Sequence, residues 1–445
     1  MAVARRFIGQ CPFNVAILRV PLHWDAITVH DMKGVTGSGS ERYGPGYACN
    51  GQSSRVCGAA QTRQAMTSAA RTFLRACAAS GPSDWEGRGG ELRALGAEDW
   101  KAVNRYAVQH GLAGLVARSL AWAEEVTGFR APARDSLDEL RRGQLIRNLA
   151  DKAAARRVAQ GLAAKSIPFV AFKGIVLTEE VYGDLSLRDF CDFDAMVPRD
   201  RIDEAFAVAT DLGYRLISPI SLREYVRAGA HAAGMEHPDG TGFDLHWNIA
   251  PDLALDKADI VWRHCRLAEP GAAFPGMRLD PEMTLVHLAK HFHSAQYTAL
   301  RPLVDFHVAS KKFAGQVDAA RIVATARELG LSSVLEIVNA LRERHLGLSP
   351  ERSRSAAKPS LKARVAPAVV TEGLLLDSPR RSRIGNWLRY LAAAGSFGAA
   401  VHGVAEMLIP GRLTLVQFFR RPFGPDMYPR YYWRQLLKVV TLARK

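Results

Sequence analysis

The chain has 445 residues, 48% of them hydrophobic and 23% charged, an ordinary globular composition with length enough to bury a core and hold more than one domain. Lys and Arg number 59 against 44 Asp and Glu, a net charge of +15, which favours anionic partners such as nucleotides, nucleic acid or acidic lipid and equally fits a solvated basic surface. The six cysteines, Cys11, Cys49, Cys57, Cys77, Cys191 and Cys265, form no C-x-x-C pair or regular framework, which argues against a secreted disulfide scaffold and for a reduced, cytoplasmic setting.

Residues 1–65 carry a glycine- and serine-rich tract with no sustained period, and are expected to be a disordered extension ahead of a natural start at Met66. Arg5 and Arg6 precede an apolar run that Gln10, Cys11 and Pro12 break, so the start is a poor secretory signal. Residues 66–165 read as a helical region. Apolar residues recur there at three- and four-residue spacing, with breaks at Gly81-Pro82-Ser83 and Arg130-Ala131-Pro132.

Residues 166–265 read as a core of strands and helices. The apolar run Ile167 to Phe172 is a strand pattern that ends in Lys173-Gly174 and gives way to a helical pattern from Ile175 to Tyr182. Such a junction presents backbone N–H groups to an anion, and Lys173 adds a positive point charge. Asp192 and Asp194 lie in a second strand pattern, where residues i and i+2 project from the same face. Two like charges so close need a counter-charge, and hard divalent cations such as Mg²⁺ take oxygen ligands of this kind. Arg188, four residues before Asp192, offers a planar fork suited to phosphate oxygens or to a surface ion pair.

A helix is expected from Arg201 to Gly213, a short strand from Tyr214 to Ser218 and a helix from Ser221 to Gly229. His231 to Ile249 reads as a β-hairpin closed by Pro238-Asp239-Gly240. In its second arm Phe243, Leu245 and Trp247 alternate with Asp244, His246 and Asn248, a half-buried strand with a polar face.

Residues 266–348 read as a second helical region, in which His287 and His291 stand at i and i+4. The spacing suits zinc, but Leu288 occupies the place of the H-E-x-x-H glutamate, which disfavours a zinc hydrolase. Residues 349–445 read as a basic linker and a helical tail. From Arg380 onward the acids are Glu406 and Asp426, and over 418–440 aromatics interleave with arginines. That pattern suits docking on a nucleic acid or an anionic membrane surface, and also a tail that packs its aromatics on the protein. The most apolar stretch, Tyr390 to Pro410, is interrupted by His402 and Glu406, so no segment reads as a membrane span.

As a set, Phe172-Lys173-Gly174, Val181-Tyr182, Arg188, Asp192, Asp194 and Met196-Val197 resemble an uncharacterised bacterial nucleotidyltransferase-like family within the superfamily that includes DNA polymerase beta. Its members carry F-K-G, then L-Y, then R-x-x-x-D-x-D and an apolar pair. Val181 replaces the usual Leu, and the glycine turn departs from the Gly-Ser or Gly-Gly of the wider superfamily. The resemblance implies an α+β fold, a nucleotidyltransferase-like mixed β-sheet core flanked by N-terminal and C-terminal helical regions.

It further implies two Mg²⁺ ions on Asp192 and Asp194, with Asp244 as a third ligand in the family's apolar-acidic-apolar-His-Trp pattern; a solvent-facing Asp244 on an edge strand is the plainer alternative. His246 would then be a hydrogen-bond donor behind the ligands or a substrate contact. Lys173, Gly174 and Arg188 would hold phosphate. His287, His291, Arg301 and Asp305, which match the family's later histidines and Arg–Asp segment, would line the acceptor side of a cleft or hold the helical region against the core. The implied reaction is metal-dependent transfer of a nucleotidyl group from an NTP to an unidentified hydroxyl-bearing acceptor, with pyrophosphate leaving. The acceptor is a small molecule, a protein or RNA. Two rivals stand beside it: a non-catalytic nucleotide- or partner-binding module with the same fold, and a toxin-like transferase acting on RNA or protein, which the basic tail favours.

Overall fold

The structure, a computed structural model, describes residues 67–347 apart from 219, 251–252, 254–256, 270–271 and 273, together with 360–376, 412–419 and 423–433. The extension expected over 1–65 and the apolar stretch from Tyr390 to Pro410 lie outside the described residues.

Helix α1 (Ser68–Ala78) begins at Thr67, whose hydroxyl accepts a hydrogen bond from the Ala70 N–H at 3.2 Å, so one of the free donors of the first turn is satisfied. It is followed by α2 (Gly89–Arg93), α3 (Ala97–Gln109), α4 (Ala113–Thr127) and the 31-residue α5 (Arg134–Ala164). Then come β1 (Val170–Phe172), α6 (Gly174–Val176) running on as a π-helical turn over Leu177–Val181, β2 (Asp192–Met196) and α7 (Ile202–Asp211). Next are β3 (Arg215–Leu216), α8 (Leu222–Arg227), β4 (Ala232–Glu236) and β5 (Gly242–His246). Ser221 and Glu224 form a reciprocal cap on α8. The β4–β5 hairpin closes with the Gly240 N–H donating to the His237 carbonyl at 2.8 Å.

After α9 (Ala258–Arg263) the chain forms β6 (Cys265–Leu267) and β7 (Met277–Leu279). This corrects the reading of 266 onward as helical, since the sheet continues to Leu279: β7 pairs in parallel with β1, and β6 pairs antiparallel with β7. Three-residue strands with an arginine at the centre are too short for alternation to register. Helices resume with α10 (Pro281–Ser294), capped by Asp280, and continue as α11 (Leu300–Lys312), α12 (Ala319–Glu328) and α13 (Ser332–Leu346). Within 349–383, the part expected to include the basic linker, α14 (Leu361–Val369) and α15 (Glu372–Leu376) form, and α16 (Arg412–Phe419) follows in the tail.

Among the described residues the seven strands make one mixed sheet in the order β3-β4-β5-β2-β1-β7-β6. Central β2 is antiparallel to β1 and parallel to β5. The register sets Phe172 opposite Asp194, Asp194 opposite Asp244 and Met196 opposite His246, so these side chains share one face. The other face, with Ala171, Phe193, Ala195, Phe243 and Leu245, packs on Val158 and Leu162 of α5 and Ala205 and Ala209 of α7. On the carboxylate face, Val170, Phe172 and Met196 join a larger core built by α1, α3 and α4 together with α10 to α13, through residues such as Phe73, Leu115, Phe292 and Val338. The helical regions on either side of the core in sequence therefore share one hydrophobic interior, and the class is α+β.

Val416 of α16 belongs to the core on the opposite face, and Phe423 packs against it. Tyr432 and Trp433 are exposed, so the tail's aromatics divide between the body and solvent. Among the described residues no helix is long and apolar enough to cross a membrane.

Candidate functional site

The site is built on the central strand pair. β1 ends at Phe172, and the chain turns through Lys173 at φ 55° and Gly174 at φ 24°. A side chain on Gly174 would put its Cβ 2.9 Å from the Asp192 carbonyl oxygen, so only glycine lets this turn lie against β2. Lys173 takes a left-handed backbone that side chains rarely adopt, and its Nζ reaches Asp194 Oδ1 at 3.0 Å.

Asp194 is buried, and the same Oδ1 also faces His246 Nε2 at 3.0 Å. His246 is buried in turn, with Nδ1 3.3 Å from the Asn248 carbonyl oxygen. Burial alone would raise the Asp194 carboxyl, but the Lys173 charge and the His246 hydrogen bond outweigh it and hold the group well below the usual carboxylate range. Asp192, two residues earlier on the same face, goes the other way: burial first, then the charges of Asp194 and Asp244, push it up to about 7. One carboxylate of the pair is thus held ionised and the other is pushed toward its protonated form.

Asp194, Asp244 and His246 each offer a ligand atom within 4.8 Å of the others, and among the described residues they form the one such group of His, Cys, Asp and Glu. Two carboxylates and an imidazole fit a divalent cation. The sequence pointed to Asp192, Asp194 and Asp244. The geometry gathers His246 with the last two, and sets Asp192 at the start of the strand, opposite Gly242.

Arg188 and Asp305, assigned separately to phosphate and to the acceptor side, form one buried ion pair. Arg188 Nε donates to Asp305 Oδ1 at 2.8 Å and Nη2 to Oδ2 at 3.0 Å, while the Tyr182 hydroxyl donates to Oδ1 at 2.8 Å. The fork expected to face phosphate is therefore engaged within the protein. Its remaining Nη1 donates to the Asp189 carbonyl at 3.2 Å. Arg301 Nη1 reaches that same carbonyl at 3.4 Å.

His287 stands edge-on to Phe172, ring centroids 5.2 Å apart, and His291 lies stacked 6.3 Å from it. His287 is buried and neither ring nitrogen has a hydrogen-bond partner. Burial first, then Lys173, drive both imidazoles down, His287 well below its ordinary value and His291 to about 3. Both are neutral at pH 7.

One set of residues escaped the sequence reading. Helix α5 clamps the loop that leads into β2: Arg141 Nε donates to Ser186 Oγ at 2.7 Å, Gln144 to the Ser186 carbonyl at 3.1 Å, and Asn148 to the Leu185 and Arg188 carbonyls at 2.6 and 2.8 Å. On the other side α4 approaches so closely that a Cβ on Gly114 would lie 1.7 Å from the Ser186 oxygen. The signal was there as three polar residues spaced along one helical face, at 141, 144 and 148. Two surface cavities, about 510 Å³ against Arg156, Gln160 and Phe274 and about 660 Å³ against Arg199, Trp247 and Trp262, are lined by none of the site carboxylates.

The model of a family described as uncharacterised nucleotidyltransferase matches residues 96–347. No curated protein matches the chain. Among solved structures, the antibiotic-resistance factor ANT(2'')-Ia, whose solution structure is titled for its substrate-regulated conformation dynamics, is similar at 13% identity. The match covers 41% of this chain and 91% of that one, with a TM-score of 0.30.

Proposed function

The chain belongs to the family of uncharacterised nucleotidyltransferases, and from that premise we propose that it moves a nucleoside monophosphate from an NTP to a hydroxyl-bearing acceptor, with Mg²⁺ bound and pyrophosphate released. The observation that carries this reading is the convergence of Asp194, Asp244 and His246 within 4.8 Å, with Lys173 beside them. Asp194 and Asp244 would hold the cation, and Asp192 would add its carboxylate from the same face, where a second ion fits the charge. The bound cation supplies neutralisation of the triphosphate and a lowered pKa for the acceptor hydroxyl.

The chain's own groups do the positioning. His246, anchored between Asp194 and the Asn248 carbonyl, fixes the carboxylate's orientation. Lys173 brings positive charge to the phosphate oxygens, and Gly174 brings the turn against β2. Arg188 is given no phosphate contact, because Asp305 engages its fork. Arg301 is assigned to the acceptor side, while His287 and His291, neutral and set against Phe172, hold the helical region to the sheet. A cytoplasmic setting, where NTPs are held, goes with this chemistry.

The test is titration of Mg²⁺ with each of the four NTPs against the full chain and against the Asp192→Asn, Asp194→Asn double variant. Metal-dependent NTP binding is expected in the first and lost in the second. Equal binding to both proteins would sink the assignment.

A further inference from the structure

We infer that Lys173 couples the two ligands of the site: it competes with a divalent cation for Asp194, and on being displaced it carries its charge to the triphosphate. The inference rests on the nucleotidyltransferase reading above.

Asp194 Oδ1 is within hydrogen-bond distance of Lys173 Nζ and His246 Nε2, both at 3.0 Å. A carboxylate oxygen offers two lone pairs, so a cation binding at Oδ1 has to take the place of one of these neighbours. His246 is the poorer candidate to move: it is buried, held by the Asn248 carbonyl and packed edge-on to Phe172 at 5.0 Å. Lys173 is the better one. Its ammonium is a point charge at the end of a flexible stem, bound at one oxygen only. Its side chain is 17% exposed against 4% for Asp194, and it lines a cavity of about 20 Å³ between Phe172, Glu180 and His287, so it is not close-packed on every side. The ammonium lies 5.0 Å from the centre of the Phe172 ring, on the carboxylate face, so a small swing away from Asp194 would leave it there for triphosphate oxygens to meet.

The two consequences have opposite signs. Lys173 weakens uptake of a bare cation, because a cation at Oδ1 has to push it off Asp194 and one at the other oxygen still faces its charge. It strengthens uptake of a cation carrying triphosphate, because it then gains a new partner. Replacing it with Met should therefore tighten one and loosen the other, a coupling that is reciprocal by thermodynamic necessity.

The experiment measures Mn²⁺ uptake by the full chain from the loss of the free-ion EPR signal, alone and with inorganic tripolyphosphate, for wild type, Lys173→Met and Asp194→Asn. Lys173→Met should bind Mn²⁺ alone roughly tenfold tighter, the order expected for removing one screened unit charge a few ångströms away, and the Mn²⁺–tripolyphosphate complex roughly tenfold weaker. In the unmodified chain, acylation of Lys173 followed by mass spectrometry should speed up with Mn²⁺ alone and slow when tripolyphosphate is added; this readout needs no variant to fold. Affinities that move in the same direction, or an acylation rate indifferent to Mn²⁺, overturn the coupling while leaving the site intact. If wild type takes up no Mn²⁺, or Asp194→Asn takes it up equally, the metal-site reading itself falls, and the coupling with it.

Discussion

Two ion pairs on the carboxylate side of the sheet differ in how completely they are closed. Arg188 and Asp305 meet through both arms of the guanidinium at 2.8 and 3.0 Å, Tyr182 takes a third bond, and the side chains are 7% and 1% exposed. Lys173 and Asp194 meet at one oxygen, with Asp192 and Asp244 close enough to perturb the same charges. The planar fork satisfies a carboxylate bidentately and leaves it nothing to exchange; the ammonium leaves its partner available to other cations. The first pair joins α11 to the loop ahead of β2 and is architecture. The second stands where ligands would arrive.

The largest effect should come from breaking the closed pair. Asp305→Ala strands a buried guanidinium and should cost about 3–5 kcal/mol, read from urea unfolding. Asp194→Asn removes a carboxylate that Lys173 and His246 stabilise, but the amide oxygen can still accept from both and Lys173 keeps Asp192 and Asp244 nearby, so its cost should be smaller, about 1–2 kcal/mol. Equal losses in the two variants would mean that both pairs are structural. Acid should discriminate in the same sense. Burial raises the Asp305 carboxyl, Arg188 more than reverses this, and the folded value is depressed. Its stabilisation is therefore fully present above the unfolded value of about 3.9 and fades only as pH falls through the lower folded one. A wild-type protein that loses the Asp305-dependent difference already at pH 5 would contradict the closed geometry.

A smaller effect isolates the fork from the charge. Arg188→Lys keeps the positive charge but cannot span both oxygens of Asp305, nor reach the Asp189 carbonyl at the same time. It should cost about 2 kcal/mol, between the loss of one charged hydrogen bond and of two. If Arg188→Lys were as stable as wild type, charge alone would suffice, and the contrast with Lys173 would lose its basis.

The sequence made the strand face legible because a two-residue period needs no knowledge of neighbours: Asp192 and Asp194 had to share a side, and the alternation after Gly242 put Asp244 and His246 together. The register that sets Asp194 beside Asp244 follows from the hairpin and the parallel pairing. Partnerships across distance were not legible. Arg188 advertised a fork, but nothing local says that its carboxylate lies 117 residues onward. Strands β6 and β7 carry no period at three residues each, so the sheet's last two members were read as helical territory. The spacing of His287 and His291 marked one helical face without revealing that the face is turned to the core, against Phe172.

That pair of histidines supplies the smallest effect and the sharpest contrast, since His287 is buried with both ring nitrogens unpartnered while every group around Asp305 is engaged. Burial, with Lys173 and His291 adding to it, depresses the folded value of His287. The stability tied to its neutral form is then fully present above the unfolded value near 6.5, and is lost as pH falls from there toward the folded value, because the unfolded chain binds the extra proton. His287→Phe keeps a flat ring against Phe172 and removes both unpartnered atoms, so at pH 8 it should be neutral or up to about 1 kcal/mol more stable. Between pH 7 and pH 5 wild type should lose about 1–2 kcal/mol relative to the variant. Urea unfolding of both proteins at the three pH values checks this. Curves that stay parallel would mean that His287 titrates as it does in the unfolded chain, and that the carboxylate face is satisfied at its histidines as fully as at Arg188.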